Sequence, residues 1–179
     1  MIKKFIDTTC KLLGVLMVVC LALMVVMVFA NVVLRYGFNS GITVSEELSR
    51  WLFVWLTFMG AVVALHERSH LGTDMLVSRL SVRGKKACLV LGHLLMLYVC
   101  WMLFRGALEQ VKINWDTTSA AMETSMGYFY ASGVMCAVLS AVILAHHLWL
   151  LLSGELTEDE LIGIRESEEE PIDVPKPVQ

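Results

Sequence analysis

Residues His66-Glu67-Arg68-Ser69-His70 spell HExxH. On a continuous helix that spacing turns both imidazoles to one side and lets the glutamate act as base on a zinc-bound water. A catalytic zinc takes three protein ligands plus water. Beyond the motif the chain offers only Asp74, four residues after His70, and Gly72 intervenes as a helix-stop signal. The plainer reading is a polar edge where a helix leaves an apolar environment. The other histidines are His93, His146 and His147. Two facing imidazoles could hold a haem iron, which would make the chain an electron-transfer anchor; the alternative is buried or snorkelling side chains. Cys10, Cys20, Cys88, Cys100 and Cys136 form no metal-type pair. They read as small apolar packing residues.

The elements that must position these groups are set by composition. Of 179 residues, 57% are hydrophobic and 17% charged, against a typical charged share of about 25%. A soluble domain of this size needs more charge to cover its surface, and a net charge of −3 gives no footprint for nucleic acid. Four long apolar runs stand out: Leu12–Leu34, Leu48–Leu65 (broken only by Arg50), Ala87–Phe104 and Met126–Leu152. Each is long enough to cross a hydrocarbon core of about 30 Å at 1.5 Å per residue. The expected fold is an all-α integral membrane protein with four transmembrane helices over residues 1–153. The first run is longer than a signal-peptide core and lacks a small-x-small cleavage site, so it is read as a span.

Basic residues set the expected orientation. Lys3, Lys4 and Lys11, the cluster from Arg68 to Lys86, and Arg165 and Lys176 fall on one side; Arg35, Arg50, Arg105 and Lys112 fall on the other. The positive-inside rule then places both termini in the cytoplasm. Aromatic residues, among them Tyr36, Trp51, Trp55, Trp115 and Tyr128, gather toward the outer face as interfacial anchors. His93 and His146 each fall roughly 9 Å inside the cytoplasmic end of their runs, so His93 with His146 or His147 is the haem candidate.

The densest polar cluster near a membrane face runs from Asn31, Arg35 and Tyr36 to Glu46, Glu47 and Arg50. Asn31 and Arg35 are four apart and share a helix face, as do Glu46 and Arg50. Thr43 and Glu46 fit a capping box. The cluster reads either as an ordinary capped helix start or as a polar joint that fixes the first two spans or grips a second subunit. Arg35 is expected to pair with Glu46 or Glu47. Gly133, Ala137, Ala141 and Ala145 repeat every fourth position, and Gly60 and Ala64 do the same. Such rows let helices approach closely in lipid, within the chain or against another membrane subunit.

The loop from 66 to 86 is expected to hold a short interfacial helix around Met75, Leu76 and Leu80. The loop from 105 to 125 begins helix-like, with Arg105, Glu109 and Lys112 in register. Pro171, Pro175 and Pro177 are the only prolines, so none interrupts a span. Substrate-holding transporter helices are commonly Gly/Pro-interrupted; these are not. Residues 154–179 are acidic and are read as a mostly disordered cytoplasmic tail.

Taken together, Asn31-Val32-x-x-Arg35-Tyr36-x-Phe38-Asn39, Ser45-Glu46-Glu47-Leu48-x-Arg50, Trp55, Gly60-Ala61, and His70 followed by Asp74 resemble the small membrane subunit of tripartite ATP-independent periplasmic (TRAP) transporters over residues 5–150. The resemblance implies a large elevator-type membrane subunit that carries the substrate and sodium sites. It also implies a periplasmic binding protein that captures an organic acid, such as a C4-dicarboxylate or a sialic acid. The small subunit is then a static scaffold in the bacterial inner membrane, with no cofactor and no catalytic role. Asn31, Arg35, Tyr36, Glu46, Glu47, Arg50, Trp55, Gly60 and His70 match the pattern, and are expected to shape the subunit and its contact with the large partner. The family's usual basic residue is replaced by His66, which is what creates the HExxH string.

Overall fold

The computed structural model describes residues 2–67 and 82–153. They form four helices: α1 (Ile2–Gly37), α2 (Thr43–Glu67), α3 (Val82–Ile113) and α4 (Gly127–Ser153). All four are long and apolar enough to cross a membrane. Only helices and closed barrels satisfy their backbone in lipid, and the long apolar runs without proline leave the helix unopposed. Helices α1, α2 and α3 overrun their apolar runs at both ends, and α4 nearly coincides with its own. The 36 residues of α1 span about 54 Å, well beyond a hydrocarbon core of about 30 Å. The helical start expected after Arg105 is the continuation of α3 to Ile113.

The helices stand in the order α1–α2–α4–α3. It is an open row among the described residues, with α1 and α3 outermost. The packing of α1 follows a seven-residue rhythm. Ile6, Cys10, Leu13, Met17, Cys20, Met24, Met27, Asn31 and Leu34 alternate in steps of four and three and are the buried or half-buried stripe; nearly everything between them is exposed. That 3.5-residue period is the seam of a left-handed helix pair. The buried core joins Ile6, Cys10 and Leu13 of α1 to Met59 and Val62 of α2 and to Cys136 and Ile143 of α4.

Small residues set the close approaches. A Cβ on Gly60 would lie 3.3 Å from Met17 Cε on α1, and one on Gly133 would lie 3.2 Å from Ala107 Cβ on α3. Ala137 is buried, Ala141 is half-buried and Ala145 exposed. The upper part of the small-residue row is thus used inside the chain, where α3 packs on α4.

The chain turns from α1 to α2 in five residues. Asn39 adopts φ 48°, a left-handed conformation asparagine tolerates better than most residues, and the Ser40 N–H returns to the Leu34 carbonyl at 3.1 Å. The Leu34 carbonyl also accepts the Phe38 N–H at 3.0 Å, so one acceptor closes the end of α1. The loop between α3 and α4 folds into a small hairpin in which Thr118 faces Ser125. The expected interfacial helix, with Asp74, Met75, Leu76 and Leu80, lies outside the described residues, as does the tail at 154–179.

Candidate functional site

The polar groups concentrate at the two ends of the row. At the end where α1 meets α2, Asn31 is the polar member of the α1 stripe and is 8% exposed. Its Oδ1 accepts the Ile42 N–H at 2.8 Å, and its Nδ2 donates to Glu46 Oε1 at 3.2 Å. Arg35 Nη1 lies 3.7 Å from the same Glu46 oxygen, with both side chains half or more exposed. One turn toward the core, the Ser45 hydroxyl donates to the Met27 carbonyl at 3.0 Å, and Ser49 donates to the Ser45 carbonyl at 2.7 Å. Ser45 and Glu46 on α2 and Asn31 and Arg35 on α1 therefore stitch the pair across the turn.

Two local expectations change. The Thr43–Glu46 capping box does not form, because α2 already includes Thr43 and the Glu46 carboxylate turns to Asn31 instead. Asn31 reaches across from α1 to satisfy the Ile42 N–H, an orphan donor at the helix start. Arg50 does not pair with the Glu46 carboxylate; its Nε donates to the Glu46 carbonyl at 3.4 Å.

Glu47 serves a different element. Its Oε2 accepts the Ala121 N–H at 2.8 Å, and the Ser119 hydroxyl is a further donor to the carboxylate. The Ser119 hydroxyl also accepts the Met122 N–H at 3.1 Å, and Glu123 closes the turn at φ 52°. A side chain of α2 thus pins the hairpin between α3 and α4. Adjacent carboxylates, Glu46 and Glu47, hold opposite connections of the row.

The aromatic residues at this end divide. Trp51 turns inward, 8% exposed, its ring 5.8 Å from that of Phe129 on α4. Trp55 packs against the core cluster. Tyr36, Trp115 and Tyr128 stay exposed, with the Trp115 and Tyr128 rings 5.8 Å apart. Trp51 is therefore a packing residue of α2 on α4, not an interfacial anchor.

At the opposite end, His66 Nε2 lies 3.0 Å from Asp7 Oδ1 on α1, and the His66 ring is parallel to that of His147 on α4 at 6.5 Å. One histidine links α1, α2 and α4. Glu67 is exposed, while His70, the second histidine of HExxH, lies outside the described residues. Among the described residues no three His, Cys, Asp or Glu side chains converge as metal ligands. His93 is buried on α3 with Nδ1 2.9 Å from the Leu89 carbonyl of its own helix. His146 stacks on Trp149 and His147 on His66. These contacts use the three histidines in packing along and between helices.

Sequence reasoning missed Asp7, Ser119 and the contact that Ser45 makes with α1. Asp7 carried a usable signal, as the lone acid among Lys3, Lys4 and Lys11. Ser119 carried none that distinguishes it from any other loop serine, and Ser45 stood out only as a member of the family pattern.

Four uninterrupted apolar helices with polar clasps at their ends define a multi-pass membrane protein, and comparison with known proteins gives its class. Residues 24–154 match the family described as tripartite ATP-independent periplasmic transporters, DctQ component. A TRAP transporter small permease protein of Haemophilus influenzae is 39% identical over 134 residues, 75% of this chain and 83% of the relative. A second such protein from the same organism is 31% identical over 137 residues, covering 76% of this chain and 81% of the relative. A C4-dicarboxylate TRAP transporter small permease protein of Vibrio cholerae is 31% identical over 85 residues, 44% of this chain and 37% of the relative. The chain belongs to the DctQ family of small permease subunits of TRAP transporters and is a multi-pass protein of the bacterial inner membrane.

Proposed function

We propose that the chain is the scaffold subunit of a sodium-coupled secondary transporter for organic acids. It is not an enzyme. It associates with a large elevator-type membrane subunit, and transiently with a periplasmic substrate-binding protein. Both termini lie in the cytoplasm, which sets the Asn31–Glu46 clasp and the Glu47-pinned hairpin at the outer face.

The observation that carries this reading is the open row of four unbroken helices whose charged contacts, among the described residues, lie at its ends: Asp7 with His66 at one, Arg35 with Glu46 and Glu47 with the hairpin at the other. An ion or a carboxylate substrate held at mid-membrane depth calls for interrupted helices whose termini and carbonyls face it. A row of unbroken helices suits a fixed wall. A domain that slides against lipid needs such a wall to hold its partner segments still, and the exposed length of α1 and α3 supplies broad apolar area for it.

Co-purification tests the proposal. A tagged form of this chain, expressed with its cognate large membrane subunit, is expected to recover that subunit in detergent at a fixed ratio. Recovery of the tagged chain alone from membranes that contain the large subunit would reject the scaffold role.

A further inference from the structure

Helices α2 and α3 both pack on α4, and a slot of about 300 Å³ lies between them. Its walls are Val54 and Phe58 of α2 and Met102 and Leu103 of α3, and its floor is Ser132 and Gly133 of α4. All six residues lie inside the apolar runs of their spans, so the slot sits at hydrocarbon depth. The Ser132 hydroxyl donates to the Phe129 carbonyl at 2.7 Å, so the floor makes no demand for a polar ligand. Gly106 lines the slot from α3, and a Cβ there would meet nothing within 4 Å. Apolar walls facing such a gap forfeit dispersion contacts on that side.

Two observations select the occupant. The first is width. A Cβ on Gly133 would lie 3.2 Å from Ala107 Cβ and 3.8 Å from Phe58 Cζ. Carbon atoms in contact stand about 3.5–4.0 Å apart, so at its floor the slot is roughly one methylene wide. A helix, about 10 Å across with its side chains, is too broad to reach that floor; a single hydrocarbon chain is not. The second is charge. Arg50 stands one turn outward of Val54 on the same face of α2, about 6 Å along the axis. Its Nε donates to the Glu46 carbonyl and its charge acts on the Glu47 carboxylate. The guanidinium carries five N–H donors in a fork that matches phosphate, and these contacts leave its terminal nitrogens able to take one.

We infer that the slot between α2 and α3 binds one acyl chain of a phospholipid, whose phosphate rests on Arg50. The lipid belongs to the leaflet on the side of the Asn31–Glu46 clasp. That leaflet is the outer one in the orientation proposed above, and the site itself does not depend on which it is. A bound chain would fill the seam where α3 and α2 share α4, and so becomes part of the packing of the row.

Photolabelling tests the site. The full chain, alone and co-expressed with its cognate large subunit, is placed in vesicles of phosphatidylethanolamine and phosphatidylglycerol. A trace of phosphatidylethanolamine carries a diazirine in one acyl chain, and adducts are located by peptide mass spectrometry. Phe58 and Met102 should be labelled several-fold more than Val18 and Leu95, which are exposed on α1 and α3. Gly106→Leu puts a side chain into the slot without a clash and should bring Phe58 down to the level of Val18. Gly92→Leu is the control, since Gly92 is also on α3 with open space at its Cβ but does not line the slot. Arg50→Gln should halve the labelling of Phe58 or lower it further, while Arg50→Lys retains most of it. Labelling of Phe58 and Met102 no denser than that of Val18 and Leu95, or unchanged by Gly106→Leu, is ordinary contact with the bilayer and overturns the inference. Dense labelling in the chain alone that disappears in the complex means that the large subunit covers the slot, which also overturns it.

Discussion

The side-chain amide of Asn31 bridges α1 to α2, donating to Glu46 Oε1 at 3.2 Å while its oxygen takes the Ile42 N–H at 2.8 Å. Asn31 stands at a seam position of the seven-residue stripe on α1. A polar residue in such a seam fixes register at some cost in stability. Here the cost is offset because both ends of the amide are bonded. The register then sets which faces of α1 and α2 stay free.

Asn31→Leu removes both bonds and strands the Ile42 N–H. The expected loss is about 1–3 kcal/mol, read as a lower melting temperature in detergent. Asn31→Asp, which keeps the acceptor but places a second carboxylate beside Glu46, should be at least as harmful. An unchanged melting temperature for both would show that the bridge does not hold the pair.

Arg35 should matter much less to stability. Its contact with Glu46 is long and exposed, and surface ion pairs are worth about 0–1 kcal/mol. Arg35→Ala is therefore expected to shift the melting temperature by no more than a degree or two. A large shift would mean that Arg35, not Asn31, carries the joint.

Glu47 reports on a different connection. In Glu47→Ala the Ala121 and Ser119 donors lose their acceptor. Amide hydrogen exchange over residues 117–126 should accelerate several-fold, with the helices unaffected. Glu47→Gln keeps an acceptor and should lie between. Uniform acceleration across α2 and α4 would point instead to a general loss of packing.

The α3–α4 approach depends on Gly133. A Cβ there is already tight against Ala107 at 3.2 Å, so Gly133→Ala should be tolerated with a small shift and Gly133→Leu should separate α3 from α4. Disulfide trapping between cysteines introduced on the two helices would read the separation. Equal trapping in the glycine and leucine forms would contradict the packing described.

The histidines give a check against metal chemistry. A zinc protease predicts bound zinc and loss of function in Glu67→Gln; a haem anchor predicts a Soret band that His93→Ala removes. The packing roles of His66, His93 and His147 predict instead a zinc content near background, no Soret band, and full uptake by a complex that contains Glu67→Gln.

Much of this architecture was legible in the residues, because span length and hydropathy are local properties. Four apolar runs without proline leave few alternatives in lipid, and small residues every fourth position mark close packing. What was not legible is pairing. Glu46 and Glu47 are neighbours of one type, yet one serves the first connection and the other the third, and only the row order α1–α2–α4–α3 separates them. Trp51 sits at the depth of an interfacial anchor, but its face of α2 meets α4. The HExxH string matched a ligand spacing, while His66 turns to Asp7, 59 residues earlier. Spacing along one helix carries no information about what stands across from it.

As a proposed scaffold, this chain supports transport without performing it. The most direct test is sodium-driven uptake of a labelled organic acid into proteoliposomes containing this chain alone, the large subunit alone, or both, each with the periplasmic binding protein. Uptake is expected only when both membrane subunits are present, with none from this chain by itself. Uptake by this chain alone, or full uptake by the large subunit without it, would contradict the account.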